Sequence, residues 1–271
     1  MSRRDRLAAL VLPGVRLWRR LSPGGFRILL LHDVPPAQRP VLARILGDLA
    51  AAGRLIGPAE AEARLDGAPP PPGPPPLLVS FDDGFASNRL VADSILAPLG
   101  IRALLFVCPG LIELTPAEQA AAVAANVLRG QRPAPEPLLG WNDLAALAAA
   151  GHVIANHTLT HPRLAGLSPA RLADEIGGGA ELLARRLGPS AWFAFPFGDV
   201  GSIDSAALAE IGRHHRFCRS GVRGGNDATT PKLALRADHL DLAAAPAWQA
   251  LTLAGGLDPA YRAARRRLDR L

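Results

Sequence analysis

Lysine is almost absent from this chain: among its 30 basic residues only Lys232 is not an arginine. Cysteine is nearly as rare. Cys108 and Cys218 are the only two, and neither belongs to a Cys-x-x-Cys pair, which excludes a disulfide framework and leaves two core thiols of a reducing compartment as the expectation. Aromatic residues make up 5 % of the chain. Neither arginine-rich stretch is interleaved with the several rings that a single-strand nucleic-acid platform uses, so nucleic acid is not an expected partner. No run approaches the roughly 20 apolar residues of a membrane-spanning helix. Residues 7–15 resemble a short signal core, but Arg16 and Arg19-Arg20 follow it and an Ala-x-Ala-like cleavage site is lacking. An uncleaved, cytoplasmic protein, peripheral at the inner membrane face, is the expectation.

What the sequence does hold is apolar bulk, 49 % of 271 residues. One α/β barrel of roughly 250 residues accounts for that length, so a single domain is expected. The formal charge of +6 points to anions, and the arginines gather in two places. Arg3, Arg4, Arg6, Arg16, Arg19 and Arg20 are interleaved with Leu7, Leu10, Val11, Leu12, Val15, Leu17, Trp18 and Leu21. That segment, interrupted at Pro13-Gly14, either makes a peripheral contact with an anionic membrane or is a solvated surface helix. Arg262, Arg265, Arg266, Arg267 and Arg270 form a second group near the end. The expected division is a basic amphipathic segment at 1–26, a barrel at 27–245 and a helical arginine-rich tail at 246–271.

Arg27–Leu31 reads as a buried strand that stops at His32-Asp33, and 40–52 has helical spacing. Ala68 to Pro76 is nearly all proline, an extended surface spacer. Leu77–Phe81 is a second strand, running straight into Asp82-Asp83-Gly84. Beyond it, helices over 86–99, 115–128, 141–150, 168–187 and 205–212 alternate with strands at 103–107, 152–155, 192–195, 216–218 and 233–239. Such alternation implies a parallel sheet or barrel.

Three stretches carry chemistry. Adjacent carboxylates at a strand end point to opposite sides, so one of Asp82 and Asp83 can bind a cation while the other stays free as a base; an Asp-Asp-Gly turn that merely caps the next helix is the plain alternative. His157 and His161, four apart, fall on one face of a helical turn, and neutral imidazoles are common ligands for zinc and similar cations. Both pairs follow predicted strands, the end at which barrel sites are built. Third, Pro196-Phe197-Gly198 after the strand at 192–195 is a turn able to expose backbone N–H groups toward a developing oxyanion.

Ser80-Phe81-Asp82-Asp83-Gly84, His157-Thr158-Leu159-Thr160-His161 and Phe193-Ala194-Phe195-Pro196-Phe197-Gly198, in that order, resemble the polysaccharide deacetylase family, carbohydrate esterase family 4. Gly140-Trp141, Gly151 to Asn156 and the opening Leu30-Leu31-His32-Asp33-Val34 strengthen the likeness, which runs from about residue 27 to 240. The resemblance implies an α/β fold, a distorted (β/α)7-type barrel, that removes acetyl groups from N-acetylated and sometimes O-acetylated sugars. It implies that Asp83, His157 and His161 hold a divalent metal, usually zinc, that Asp82 is the general base, and that the Phe197 N–H receives the oxyanion. His32 is expected to line the pocket.

Two positions depart from the family pattern. Where many members carry an arginine that orients the base, this chain has Ala194, and Arg236 is the expected substitute. The general acid is a histidine in a Leu-x-His of many members; His239, after Asp238, is the nearest match, with a solvated loop histidine as its rival. An O-acetyl esterase or deformylase on the same site, or a non-catalytic glycan-binding member, are the alternative readings. A lipid-linked or soluble sugar precursor is the expected substrate.

Overall fold

The computed structural model describes residues 3–21, 25–70, 72–131 and 133–271, with the backbone alone for 3 and 18–21. Residues 1, 2 and 22–24 of the expected N-terminal segment and Pro71 of the proline run lie outside the described residues, as do the side chains of Arg3, Trp18, Arg19, Arg20 and Leu21. Eight strands form one sheet: β1 Arg27–Leu31, β2 Leu55–Ile56, β3 Leu77–Phe81, β4 Leu104–Val107, β5 Val153–Asn156, β6 Trp192–Ala194, β7 Phe217–Arg219 and β8 Asp238–His239. Every residue of β1, β3 and β4 is buried, as a sheet covered on both faces requires. The helices are α1 Arg3–Leu21, α2 Arg39–Ala51, α3 Pro58–Leu65, α4 Ser87–Val91, α5 Pro109–Ile112, α6 Pro116–Ala122, α7 Trp141–Ala149, α8 Pro169–Leu172, α9 Gly179–Leu187, α10 Ser205–His214, α11 Pro246–Leu253 and α12 Arg262–Leu268. The short strand β2 and helix α3 fall in a stretch to which the sequence pattern assigns nothing.

All strand pairings are parallel, in the order β7-β6-β5-β4-β3-β1-β8, with β2 beside β3. The expected strand at 233–239 is shorter than its pattern, only Asp238–His239, because the segment changes partners. Leu235 bridges Arg219 of β7, and three residues later Asp238 pairs with Leu29 of β1. One segment thus touches both edges and curls the sheet into a distorted barrel.

Alternate residues of a strand face opposite ways. Leu29, Leu31, Val79, Phe81, Leu105 and Val107 pack outward on α2 and α7, while Ile28, Leu30, Leu78, Leu104, Phe106, Trp192 and Phe217 fill the interior. Helix α3 closes that interior at the N-terminal end of the strands, where Trp192 Nε1 donates to Glu62 Oε1 at 2.7 Å. At the C-terminal end the inward rows run on to His32, Asp82 and Arg219, so the barrel's own alternation delivers a histidine, a carboxylate and a guanidinium to one mouth.

Helix α1 is not interrupted at Pro13-Gly14, contrary to the sequence expectation. Proline removes the hydrogen bond to the Ala9 carbonyl, but Ala9 and Pro13 are both exposed, where water replaces it. The helix packs on α11. Its Arg16 shares a cavity with Arg27, Arg54 and Pro75, which open or precede β1, β2 and β3, so α1 adjoins the N-terminal end of the sheet. Among the described residues no helix is long and apolar enough to cross a membrane. Cys108 and Cys218 are buried free thiols.

Candidate active site

Asp82 keeps the inward direction of Leu78 and Ser80 and is 4 % exposed. Asp83 would by the same alternation point away, but the backbone turns left-handed there, with φ 70° at Asp83 and 75° at Gly84. A Cβ at Gly84 would stand 2.9 Å from Val107 Cγ1, so glycine is required for both its φ and the room. The turn brings Asp83 Oδ1 to 3.5 Å from His157 Nε2 and 3.3 Å from His161 Nε2.

The two histidines sit on an irregular loop, not on the helical turn that their spacing suggests: Thr158 and His161 both have positive φ, 69° and 66°. Side chains from two wide π turns hold that loop. Glu175, in the turn Ala173–Gly178 between α8 and α9, accepts from Thr160 N at 2.8 Å and Thr160 Oγ1 at 2.7 Å. Asn126, in the turn Val123–Val127 after α6, donates from Nδ2 to the Thr160 carbonyl at 2.8 Å. Such turns inside helices recur near functional sites.

His157 Nδ1 lies 2.7 Å from the Ala194 carbonyl and His161 Nδ1 lies 3.3 Å from the Asn126 carbonyl. A carbonyl can only accept, so each Nδ1 carries a proton; each Nε2, directed at Asp83, can then donate to that carboxylate or, once deprotonated, offer its lone pair to a cation. Burial works against charge on Asp83, but hydrogen bonds with the two imidazoles hold its carboxyl well below the usual range. Three ligand atoms, all within 4.8 Å of one another and all buried, face each other around a space that calls for a shared positive centre. Two neutral imidazoles and one carboxylate fit a divalent ion of the zinc type and leave it open positions.

Asp82 stands beside this group, its Oδ2 3.9 Å from His157 Nε2, and its Oδ1 accepts from Arg219 Nη2. Arg219 is 1 % exposed and lies over the Phe106 ring at 4.8 Å. It is the register partner of Ala194 across β6 and β7, so the cation missing from position 194 is supplied at the same level by the next strand. Arg236 is not the substitute. Its guanidinium donates to Thr230 Oγ1 and Asp269 Oδ1, at 3.0 and 2.6 Å, because the broken last strand turns it away from the mouth.

His32, Asp82, Asp83, His157, His161, Phe197, Arg219 and His239 line one cleft of about 530 Å³. Phe197 has φ 66°, and its N–H donates to no other group among the described residues. Its ring meets the edge of His161 at 4.8 Å and carries the Arg129 guanidinium at 3.8 Å. Pro196 is buried under the turn and is not part of the cleft wall. The His32 and His239 rings are 5.6 Å apart. Burial of the inner side of His239, reinforced by the nearby His32 and Arg223, pulls its pKa down to about 4, although its outer edge is exposed. It is therefore neutral at neutral pH. The non-glycine residues with positive φ, Asp83, Arg129, Thr158, His161 and Phe197, all line this cleft or directly follow a residue that does, and backbone strain gathers where geometry is imposed for function.

Sequence reasoning missed Arg219, Glu175 and Asn126. For Arg219 the one available signal was its place directly after a predicted strand, which is where His32, Asp82 and Asp83 also stand.

The family model for polysaccharide deacetylase matches residues 70–214, a span that contains both aspartates, both histidines and the Phe197 turn. No protein of curated function matches the sequence. Among solved structures, IcaB from Ammonifex degensii is 22 % identical and superposes with a TM-score of 0.65 over 86 % of this chain and 97 % of its own. The deacetylase PplD of Streptococcus pyogenes, in complex with acetate, is 18 % identical, with a TM-score of 0.67 over 85 % and 98 % of the two chains. The deacetylase domain of BpsB from Bordetella bronchiseptica, 18 % identical, gives 0.62 over 78 % and 94 %. These likenesses establish the distorted barrel, and the family match, which takes in more than half of the 271 residues, establishes that the chain belongs to the polysaccharide deacetylases.

Proposed function

We propose that this protein hydrolyses acetyl groups, in the first place N-acetyl groups, of a carbohydrate, with a divalent metal, zinc by its donor set, held by Asp83, His157 and His161. The observation that carries the reading is the pairing of a buried three-ligand cluster with a second carboxylate 3.9 Å from one of its ligands. When bound, the metal supplies Lewis acidity, polarising the acetyl carbonyl and lowering the pKa of water.

The chain's own residues do the rest. Asp82, fixed by Arg219, accepts the proton of the attacking water at its free oxygen. The Phe197 N–H, which has no other acceptor among the described residues, donates to the oxyanion as the carbonyl carbon becomes tetrahedral. His239 stands across the cleft with His32, in place to hand a proton to the departing amine; neutral at rest, it first takes that proton up from solvent, while Asp82 returns to solvent the one it accepted from the attacking water. The acetylated sugar occupies the cleft, and the edge-on His161 and Phe197 rings give its acetyl methyl an apolar wall.

The test pairs metal analysis with acetate release from a panel of N- and O-acetylated saccharides. Asp82→Asn is expected to retain one metal per chain and to lose turnover by about 10²-fold or more, whereas His157→Ala loses both. Undiminished turnover by Asp82→Asn would remove Asp82 from the role of base, and release from O-acetyl substrates alone would make the protein an esterase.

A further inference from the structure

Four of the six large hydrophobic side chains exposed among the described residues lie on α1: Leu7, Leu10, Val11 and Leu17, at 61, 78, 38 and 60 % exposure. With Gly14 they form a single stripe, at i, i+3, i+4, i+7 and i+10. The helix already satisfies its inward face, since Ala8 is 1 % exposed and Leu12 and Val15 are half-buried on the side that packs on α11. A surface helix of a soluble protein needs only that one apolar face; this one carries a second, turned outward.

Charge decides what covers it. The same segment holds Arg3, Arg4, Arg6, Arg16, Arg19 and Arg20 against the single acid Asp5, most of the chain's formal +6.

We propose that α1 docks this protein on an anionic phospholipid membrane, the Leu7, Leu10, Val11 and Leu17 stripe entering the interface and the arginines of the same segment meeting lipid phosphates. An aliphatic stripe flanked by arginines is the pattern of helices that lie in the headgroup layer. A second copy of the same face would set arginines against arginines, and a nucleic acid would leave the leucines uncovered.

The test is co-sedimentation of the full chain with vesicles of phosphatidylglycerol and phosphatidylcholine, and with phosphatidylcholine alone. Binding is expected to the anionic vesicles, weakening as salt is raised. Leu7→Glu with Leu17→Glu, both at exposed positions, is expected to cut partitioning about tenfold or more with helix content and melting temperature unchanged. Arg3→Gln with Arg6→Gln is expected to weaken binding to anionic vesicles selectively. The proposal is overturned if the wild-type chain stays in the supernatant with both vesicle types, or if the double glutamate variant pellets as well as the wild type. A dimer that those glutamates dissolve, with no vesicle binding, would instead give the face to a second copy.

Discussion

Arg219 reaches Asp82 from one strand beyond the position at which the family pattern leads one to look, and the exchange works because Ala194 and Arg219 are register partners. Arg219→Met keeps the length of the side chain and its packing on Phe106 while removing the charge, so it is expected to lower kcat about 10²-fold with metal content unchanged. Adding Ala194→Arg should return part of the loss, since it restores a guanidinium at the same level of the barrel. Acetate release and metal analysis on the single and double variants check both expectations; a double variant no better than the single would mean that the two strands do not substitute for each other. Asp82, Asp83, His157, His161 and Phe197 were legible as chemistry-bearing groups because each follows a strand within a few residues of a local motif. Arg219 was not: it and Asp82 are 137 residues apart, and only strand register joins them. Arg236 misled for the complementary reason, its apparent strand being broken between β7 and β1.

At the scale of elements, the alternation of strands and helices was readable from apolar periodicity, whereas the loop that holds the histidines was not. A spacing of four fits a helical turn, yet left-handed φ values at Thr158 and His161 make the loop irregular. What shapes it is the buried carboxylate of Glu175, a residue that in sequence looks like any acid in a helix. Glu175→Ala removes the acceptor of Thr160 N and Oγ1 and frees the segment between the two ligands. Supporting contacts of this kind typically set 10- to 100-fold in metal affinity. The variant is expected to lose metal about that much more readily in a chelator titration and to recover activity in excess metal, which a damaged catalytic group would not.

For the molecule as a whole, the buried His215 makes folding stability depend on pH. His215 is 6 % exposed, and burial pulls its pKa down to about 4, helped by His214. It accepts from Asn156 Nδ2 at 3.1 Å while its other nitrogen meets the Ser190 carbonyl at 3.0 Å, an arrangement only the neutral ring satisfies. The unfolded chain takes up this proton below pH about 6.5 and the folded chain does so only near 4, so stability is full above 6.5 and declines as pH falls through that window. The loss amounts to roughly 3 kcal/mol by pH 4. Denaturant unfolding at pH 7 and pH 4.5 should show a steeper decline in the wild type than in His215→Gln, whose amide does not titrate; equal declines would contradict the assignment.

Helix α1 and the cleft occupy opposite ends of the strands, one beside Arg27 at the start of β1, the other beside His32 just past its finish. Five extended residues measure about 17 Å. In the docking proposed above, the cleft therefore opens at the far end of the strands from α1, a separation on the order of that length. On that proposal a sugar in the surrounding water, or the loose end of a long glycan, would reach the cleft more readily than one fixed directly to a headgroup of the same bilayer.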